Sequence, residues 1–345
     1  MPQSRHGSVL LIGSLPFKSV QQVFQVAGPA LAGYAARLPD GEAQGWVKYP
    51  GASLAKAQGL KVSARVGQNR PDLPQFSLYE LDGPAEEVRF APVGYDHIAL
   101  TSYEAFKRSR EQGHIAPGTR FQVSLPTPFG VIGQFIVPEH VQQVLPVFEK
   151  HYLKEVETIL ARIPHDDLAI QWDVAVELVN ALHGHREGLR ERVSKAYLAE
   201  AIVRAVEFIP ADVEVGLHLC YGNPGGRHVI EPDDTGLMVE FSNEVVRRLH
   251  RPLTWIHMPV PKSRDDDEYF KPLSGLQIGQ TKLYLGLVHI TDGEDGTRRR
   301  IDTAKRYMGR FGVAYECGLR TFPEDSIARM LDLHKWAADY ASAPN

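Results

Sequence analysis

The sequence predicts an α/β protein built as a (β/α)8 TIM barrel. Strand-like apolar runs recur about eight times, each closing on polar, Pro or Gly residues. Helical patterns with apolar residues at three and four spacings lie between them, which calls for parallel strands. The first run ends in Gly13-Ser14-Leu15-Pro16 and lacks the glycine-rich fingerprint of dinucleotide-binding open sheets. A doubly wound open sheet is the second choice.

The strand-like runs cover residues 8–16, 36–42, 120–128, 168–175, 213–221, 253–260, 282–290 and 313–318. Helices are expected over 139–163, stopped by Pro164, and over 195–208, ahead of Pro210. Another is expected over 236–249, behind the cap signal Asp233-Asp234-Thr235, and two more over 299–311 and 323–340. Residues 43–117 break the alternation: 78–83 and 88–91 read as a hairpin and 102–112 as a helix. We expect one barrel domain over residues 1–345, with 43–117 inserted as a hairpin and helix, a lid over the mouth.

A length of 345 residues with 43% hydrophobic content supports a deep core. The net charge is −4 and no long basic block occurs, so nucleic acid is not an expected partner. Arg298-Arg299-Arg300 reads as a solvated helix start. No apolar run approaches the roughly 20 residues of a membrane span, and the run at 8–12 is too short for a signal-peptide core. Two cysteines make no disulfide framework, so the expectation is a cytoplasmic protein with reduced thiols. A homodimer is compatible with the sequence.

Barrel enzymes carry their catalytic groups at the C-terminal ends of the strands. The polar residues there are Asp40 and Glu42, then Ser124 and Thr127, then Gln171, Trp172, Asp173 and Glu177. His218, Cys220 and Tyr221 close the next strand, His257 the next, then His289 and Asp292, then Glu316 and Cys317. Arg320, just beyond, is a candidate for an anionic group, and Asp40 and Glu42 also read as a polar turn. Trp46, Tyr95, Trp172, Tyr221 and Trp255 are either core or the walls of a flat ligand's site. His218 and Cys220 are two apart, so they face the same side of a strand. Each of His218, Cys220, His257 and Cys317 alone reads as a core residue. Together, at separate strand ends, they are a nitrogen-and-sulfur set of the kind zinc prefers, one ion per chain.

These same residues carry a family resemblance. His218-Leu219-Cys220-Tyr221, a polar residue one strand later, and Cys317-Gly318-Leu319 on the last strand resemble the catalytic barrel of cobalamin-independent methionine synthase. That barrel is shared with the epoxyalkane:coenzyme M transferases and the uroporphyrinogen decarboxylase-like fold group. Ile170-Gln171-Trp172-Asp173 is similar to the family segment whose aspartate holds the amino-acid substrate, and Ile12-Gly13-Ser14-Leu15-Pro16 to the start of such barrels. The resemblance covers most of the chain, which is the size of the catalytic half alone. It implies zinc bound by His, Cys, Glu and Cys, holding a substrate thiol as thiolate for attack on a methyl or alkyl carbon.

The chain departs from that pattern in three places. In strand order the Glu ligand's place falls on His257; counted along the chain it falls near Glu240, which reads as helix interior, so His257 is preferred. An imidazole there makes the site less negative and its thiolate a poorer nucleophile. The family's Asp-x-His, whose His is the proton donor, is here His289-Ile290-Thr291, leaving His289 or Asp292 as acid or base. Asp173 is kept, but the residues around it differ, so specificity for the family's amino acid is not implied.

The leading function is therefore a zinc-dependent methyl or alkyl transferase acting on a small-molecule thiol and an alkyl donor. A lyase, hydrolase or decarboxylase at the same mouth is the alternative, with Asp173, Glu177, His218 and His289 in acid–base roles. A non-catalytic barrel binding a corrinoid or other small molecule is the third. Metal content separates the first from the rest.

Overall fold

The structure is a computed structural model that describes residues 6–43, 49–67 and 75–343; Trp46 lies outside them. Its centre is a seven-stranded parallel sheet. The sheet strands are β1 (Arg37–Pro39), β4 (Arg120–Pro126), β5 (Leu168–Val174), β6 (Glu214–Leu219), β7 (Trp255–Pro259), β8 (Lys282–Gly286) and β9 (Gly312–Val313), adjacent in that order. Two further strands, β2 (Leu60–Val66) and β3 (Phe76–Leu81), pair only with each other, antiparallel.

The first expected strand, 8–16, is not a regular one. Val9 makes single parallel bridges to Ala35, just ahead of β1, and to Val313 of β9. A flat sheet of this width would hold its edges tens of ångströms apart, at about 4.8 Å per strand. The sheet therefore curls until both edges flank residues 8–14. Leu15 N–H then donates to Gly41 and Leu319 N–H to Ser14.

The outer layer contains α1 (Val20–Ala30), α2 (Tyr49–Leu54), α3 (Tyr95–Glu111), α4 (Pro128–Phe135), α5 (Val141–Arg162), α6 (Lys195–Glu207), α7 (Gly236–Arg248), α8 (Asp267–Phe270), α9 (Gly293–Tyr307) and α10 (Ile327–Ser342). Local chemistry sets their ends. Ser19, Thr127 and Ser194 each accept a backbone N–H of the helix they precede, and Pro128 opens α4 with its fixed φ. α5 stops at Ile163, whose backbone is extended ahead of Pro164. α1 and α4 were not expected; α4 is apolar on nearly every side and shows no helical stripe.

Part of 43–117 belongs to the outer layer. The helix expected at 102–112 runs from Tyr95 to Glu111 and packs between α1 and α5 in the outer layer. Glu155 of α5 pins it there, accepting the N–H groups of Val93, Gly94 and Tyr95. The hairpin is β2 with β3, not 78–83 with 88–91; Arg89 pairs with Gln58 in an isolated antiparallel bridge.

Inside the curl, Leu10, Ile12, Ala169, Trp255, Tyr284 and Ala314 form a buried cluster of their own. Two glycines make room for its rings. A Cβ at Gly216 would lie 2.0 Å from the Trp255 indole, and one at Gly312 2.5 Å from the Tyr284 ring. Arg37 lies over the indole at 4.2 Å and pairs with Glu214 at 2.8 Å. This packed plug fills the N-terminal end and leaves the C-terminal end for polar side chains.

Candidate metal centre

Asp173, His218 and His257 stand in register on β5, β6 and β7. Residues in register point to the same face, here the inside of the curl. Cys220 follows two residues after His218, and Cys317 comes in from the segment after β9. His218, Cys220 and Cys317 each place a ligand atom within 4.8 Å of the other two. Both cysteines are free thiols, with the sulfurs 3.7 Å apart. Two Zn–S bonds of about 2.3 Å at the tetrahedral angle set their sulfurs about 3.8 Å apart. Nε2 of His218 is buried and has no hydrogen-bond partner. An orphaned nitrogen costs about 1–3 kcal/mol unless a ligand takes it up. The donor set of His218, Cys220 and Cys317 thus fits a soft, zinc-type cation.

The electrostatics agree. Cys317 is held well below the usual thiol range by the Cys220 thiol that bonds to it and, against the effect of burial, by His218. Cys220 is correspondingly raised. Burial pulls His218 down, yet Cys317 and Asp173 leave it above its ordinary value. A thiol held down toward its thiolate form beside an imidazole is a donor pair that suits a soft cation.

No family model and no curated protein sequence matches the chain. Solved structures do. A B12-independent methionine synthase from a Shewanella species, in complex with selenomethionine, superposes with a TM-score of 0.61 at 15% identity, over 93% of this chain and 86% of that one. A protein from Listeria monocytogenes described as a vitamin-B12-independent methionine synthase gives 0.58 at 13% identity, with the same coverage. The chain has a methionine synthase-like fold. At such identity the likeness fixes the fold, and the chemistry rests on the residues.

Within this methionine synthase-like fold the expected site residues divide. His257 is not in the three-residue group: its Nδ1 lies 2.8 Å from Nδ1 of His218, so it meets the ligand set through His218. Glu240 is on α7, 2.7 Å from Lys195 and largely exposed. Gln171 donates Nε2–H to the Ile12 carbonyl and to Oδ1 of Asp173. Burial pushes Asp173 up to about 7, opposed by His218 and Gln171. Glu177, on a π-helical turn after β5, is also pushed up to about 7 by burial and accepts a bond from Thr127. Glu42 has a left-handed backbone, φ 50°, rare for a residue with a side chain. That twist carries its carboxylate over Gly13. Asp40 is spent on structure, accepting Ser102 Oγ–H and the Glu42 N–H.

Other expected residues point elsewhere. Trp172 is fully buried against Tyr152 on the outer face of β5; alternation with Gln171 and Asp173 requires this. Tyr221 shares its hydroxyl with Tyr269, which donates to the Pro259 carbonyl, a buried chain and not a ligand contact. Arg320 donates to the carbonyls of Gly41 and Glu42, holding that turn and not an anion. Asp292 is forked by Arg300, which keeps it ionised, so it has no proton to give. Arg300 itself is fully buried, not part of a solvated helix start, and also donates to the Leu287 and Lys262 carbonyls. His289 is driven down to about 4 by burial and bonds through Nε2 to the Val260 carbonyl, so it is neutral with its proton on Nε2.

His228 was not anticipated. It sits in the loop after β6, with Nε2 3.1 Å from Glu316 and Nδ1 3.3 Å from Glu231. Glu316 also accepts from Tyr315 and lies 4.0 Å from His289. The loop's position after a strand end was the available signal.

Proposed function

We propose that the chain is a metal-dependent enzyme that transfers a methyl or other alkyl group to or from the sulfur of a small-molecule thiol. The observation that carries this reading is the sulfur pair 3.7 Å apart beside the orphaned Nε2 of His218. We also read residues 8–14 as the first stave of an eight-stranded barrel, with this site at its mouth. His218, Cys220 and Cys317 would hold one zinc ion. The chemistry a bound zinc supplies is deprotonation of a thiol at neutral pH.

The remaining residues bind and orient. Glu42 and Asp173 bring carboxyl groups to the mouth, Asp173 in register beside His218, which suits a substrate carrying a cationic group as well as a thiol. Gln171 fixes the Asp173 carboxyl, and Ser124 donates its Oγ–H to the Ile12 carbonyl. In transfer, the thiolate sulfur forms a bond to the alkyl carbon as the donor's carbon–heteroatom bond breaks. The leaving group departs with the electron pair and takes a proton. Asp173, near 7, can hold that proton at neutral pH. The selenomethionine in the Shewanella structure supports a small sulfur-type amino acid as ligand class.

The test is product analysis. Purified chain with zinc is incubated with a panel of thiols and with methyl and longer alkyl donors, and S-alkyl products are read by mass spectrometry. Product that needs zinc and disappears in Cys317→Ser is the expected result. Hydrolysis of the donor without S-alkylation overturns the transfer reading.

A further inference from the structure

The imidazole pair beneath the sulfurs has a chemical consequence. His218 and His257 are in register on adjacent strands, and their rings meet Nδ1 to Nδ1 at 2.8 Å. Two such nitrogens at that distance share one proton: one donates and the other accepts. His218 Nε2 must offer a lone pair if it is to ligate, which puts its proton on Nδ1. His257 Nδ1 is then the acceptor, and His257 carries its own proton on Nε2. That nitrogen is buried, and the Tyr315 backbone lies against the ring. Cys220 stands two residues nearer the mouth than His218, while His257 stays level with His218, so its ring lies a layer below the sulfurs.

We infer that His257 is a positioning residue: it accepts the Nδ1 proton of His218 and so fixes the tautomer and orientation in which Nε2 faces Cys220 and Cys317. This rests on the metal reading above. It differs from the ligand role that strand order gives this position, because the nitrogen that could reach a metal is the one engaged with His218. Partners at the far nitrogen of a ligating histidine commonly change metal affinity by 10–100-fold when removed.

The experiment uses the full chain loaded with cadmium-113 and labelled with nitrogen-15. Coupling of cadmium to one histidine nitrogen, Nε2 of His218, is expected, with the His218 Nδ1 resonance that of a protonated nitrogen. Coupling to two histidines makes His257 a ligand and overturns the inference while leaving the metal site standing. A wild-type chain that binds neither zinc nor cadmium overturns both. Zinc competition against a chelator supplies the second readout. His257→Leu is expected to weaken zinc by about 10–100-fold, whereas His257→Asn, which keeps an acceptor near the Nδ1 position, stays within about threefold. Unchanged zinc affinity in His257→Leu, or equal loss in both variants, also overturns it. If His257→Leu fails to fold, the coupling pattern and the Asn variant still decide.

Discussion

The two ends of the curled sheet treat their buried ionisable groups differently. At the N-terminal end the buried cation has a counter-charge: Arg37 stacks on Trp255 and pairs with Glu214, although its Nη1 and the Trp255 Nε1 are left without a hydrogen bond, and two glycines are carved to the shape of the rings above them. At the C-terminal end, His218 and His257 each keep a buried nitrogen without a hydrogen bond, Asp173 and Glu177 are held near neutrality, and Glu42 is strained. A protein that spent its interior on stability alone would resemble the first end throughout. What sets the C-terminal end apart is that imidazoles, thiols and carboxyls with raised pKa values are gathered within it, the kind of groups a ligand completes.

Substitutions should therefore cost stability at one end and not at the other. Glu214→Ala leaves Arg37 buried without its partner and is expected to cost about 4 kcal/mol in urea unfolding. A loss below about 1 kcal/mol would remove the contrast.

Glu177 tests the other end by pH. Its carboxyl is raised from an ordinary 4.5 to about 7, so the unfolded chain ionises first as pH rises. Stability is complete below about 4.5 and falls by something on the order of 3 kcal/mol as pH passes 7. Glu177→Gln should match the wild type at pH 4 and exceed it at pH 8, as read by unfolding at the two values. Equal pH slopes in both proteins would contradict the burial of that carboxyl.

Smaller effects sharpen the comparison. Gly216→Ala drives a methyl into the Trp255 indole and should cost about 2 kcal/mol. Asp173→Asn, at the mouth, should change the melting free energy by less than about 1 kcal/mol or raise it, since it removes a carboxylate that burial disfavours. Calorimetry on the pair reads both.

The sequence revealed what repeats and what alternates. Strands β4 through β8 lie within the expected runs, because each is a long apolar stretch bounded by Pro, Gly or charge. The ends of the chain were harder. Residues 8–16 bond to two different edges, and their pairing depends on a curl that no local pattern encodes. α4 escaped notice because it is buried nearly all round. At the site, His218, Cys220 and Cys317 were legible as soft donors at strand ends. His257 was legible as a participant, but its role depends on which ring nitrogen meets which, a matter of packing between strands. Trp172 could have been excluded by alternation alone. Arg300 and Asp292 became a buried fork only through the turn that opens α9.

The most direct measurement is the metal content of the purified chain by elemental analysis, beside the Cys220→Ser, Cys317→Ser double variant. A site of three protein ligands predicts about one zinc per chain in the wild type and essentially none in the variant. No metal in protein prepared without chelator, and none after zinc is added back, would contradict the metal centre and return the mouth to metal-free acid–base chemistry around Asp173 and Glu177.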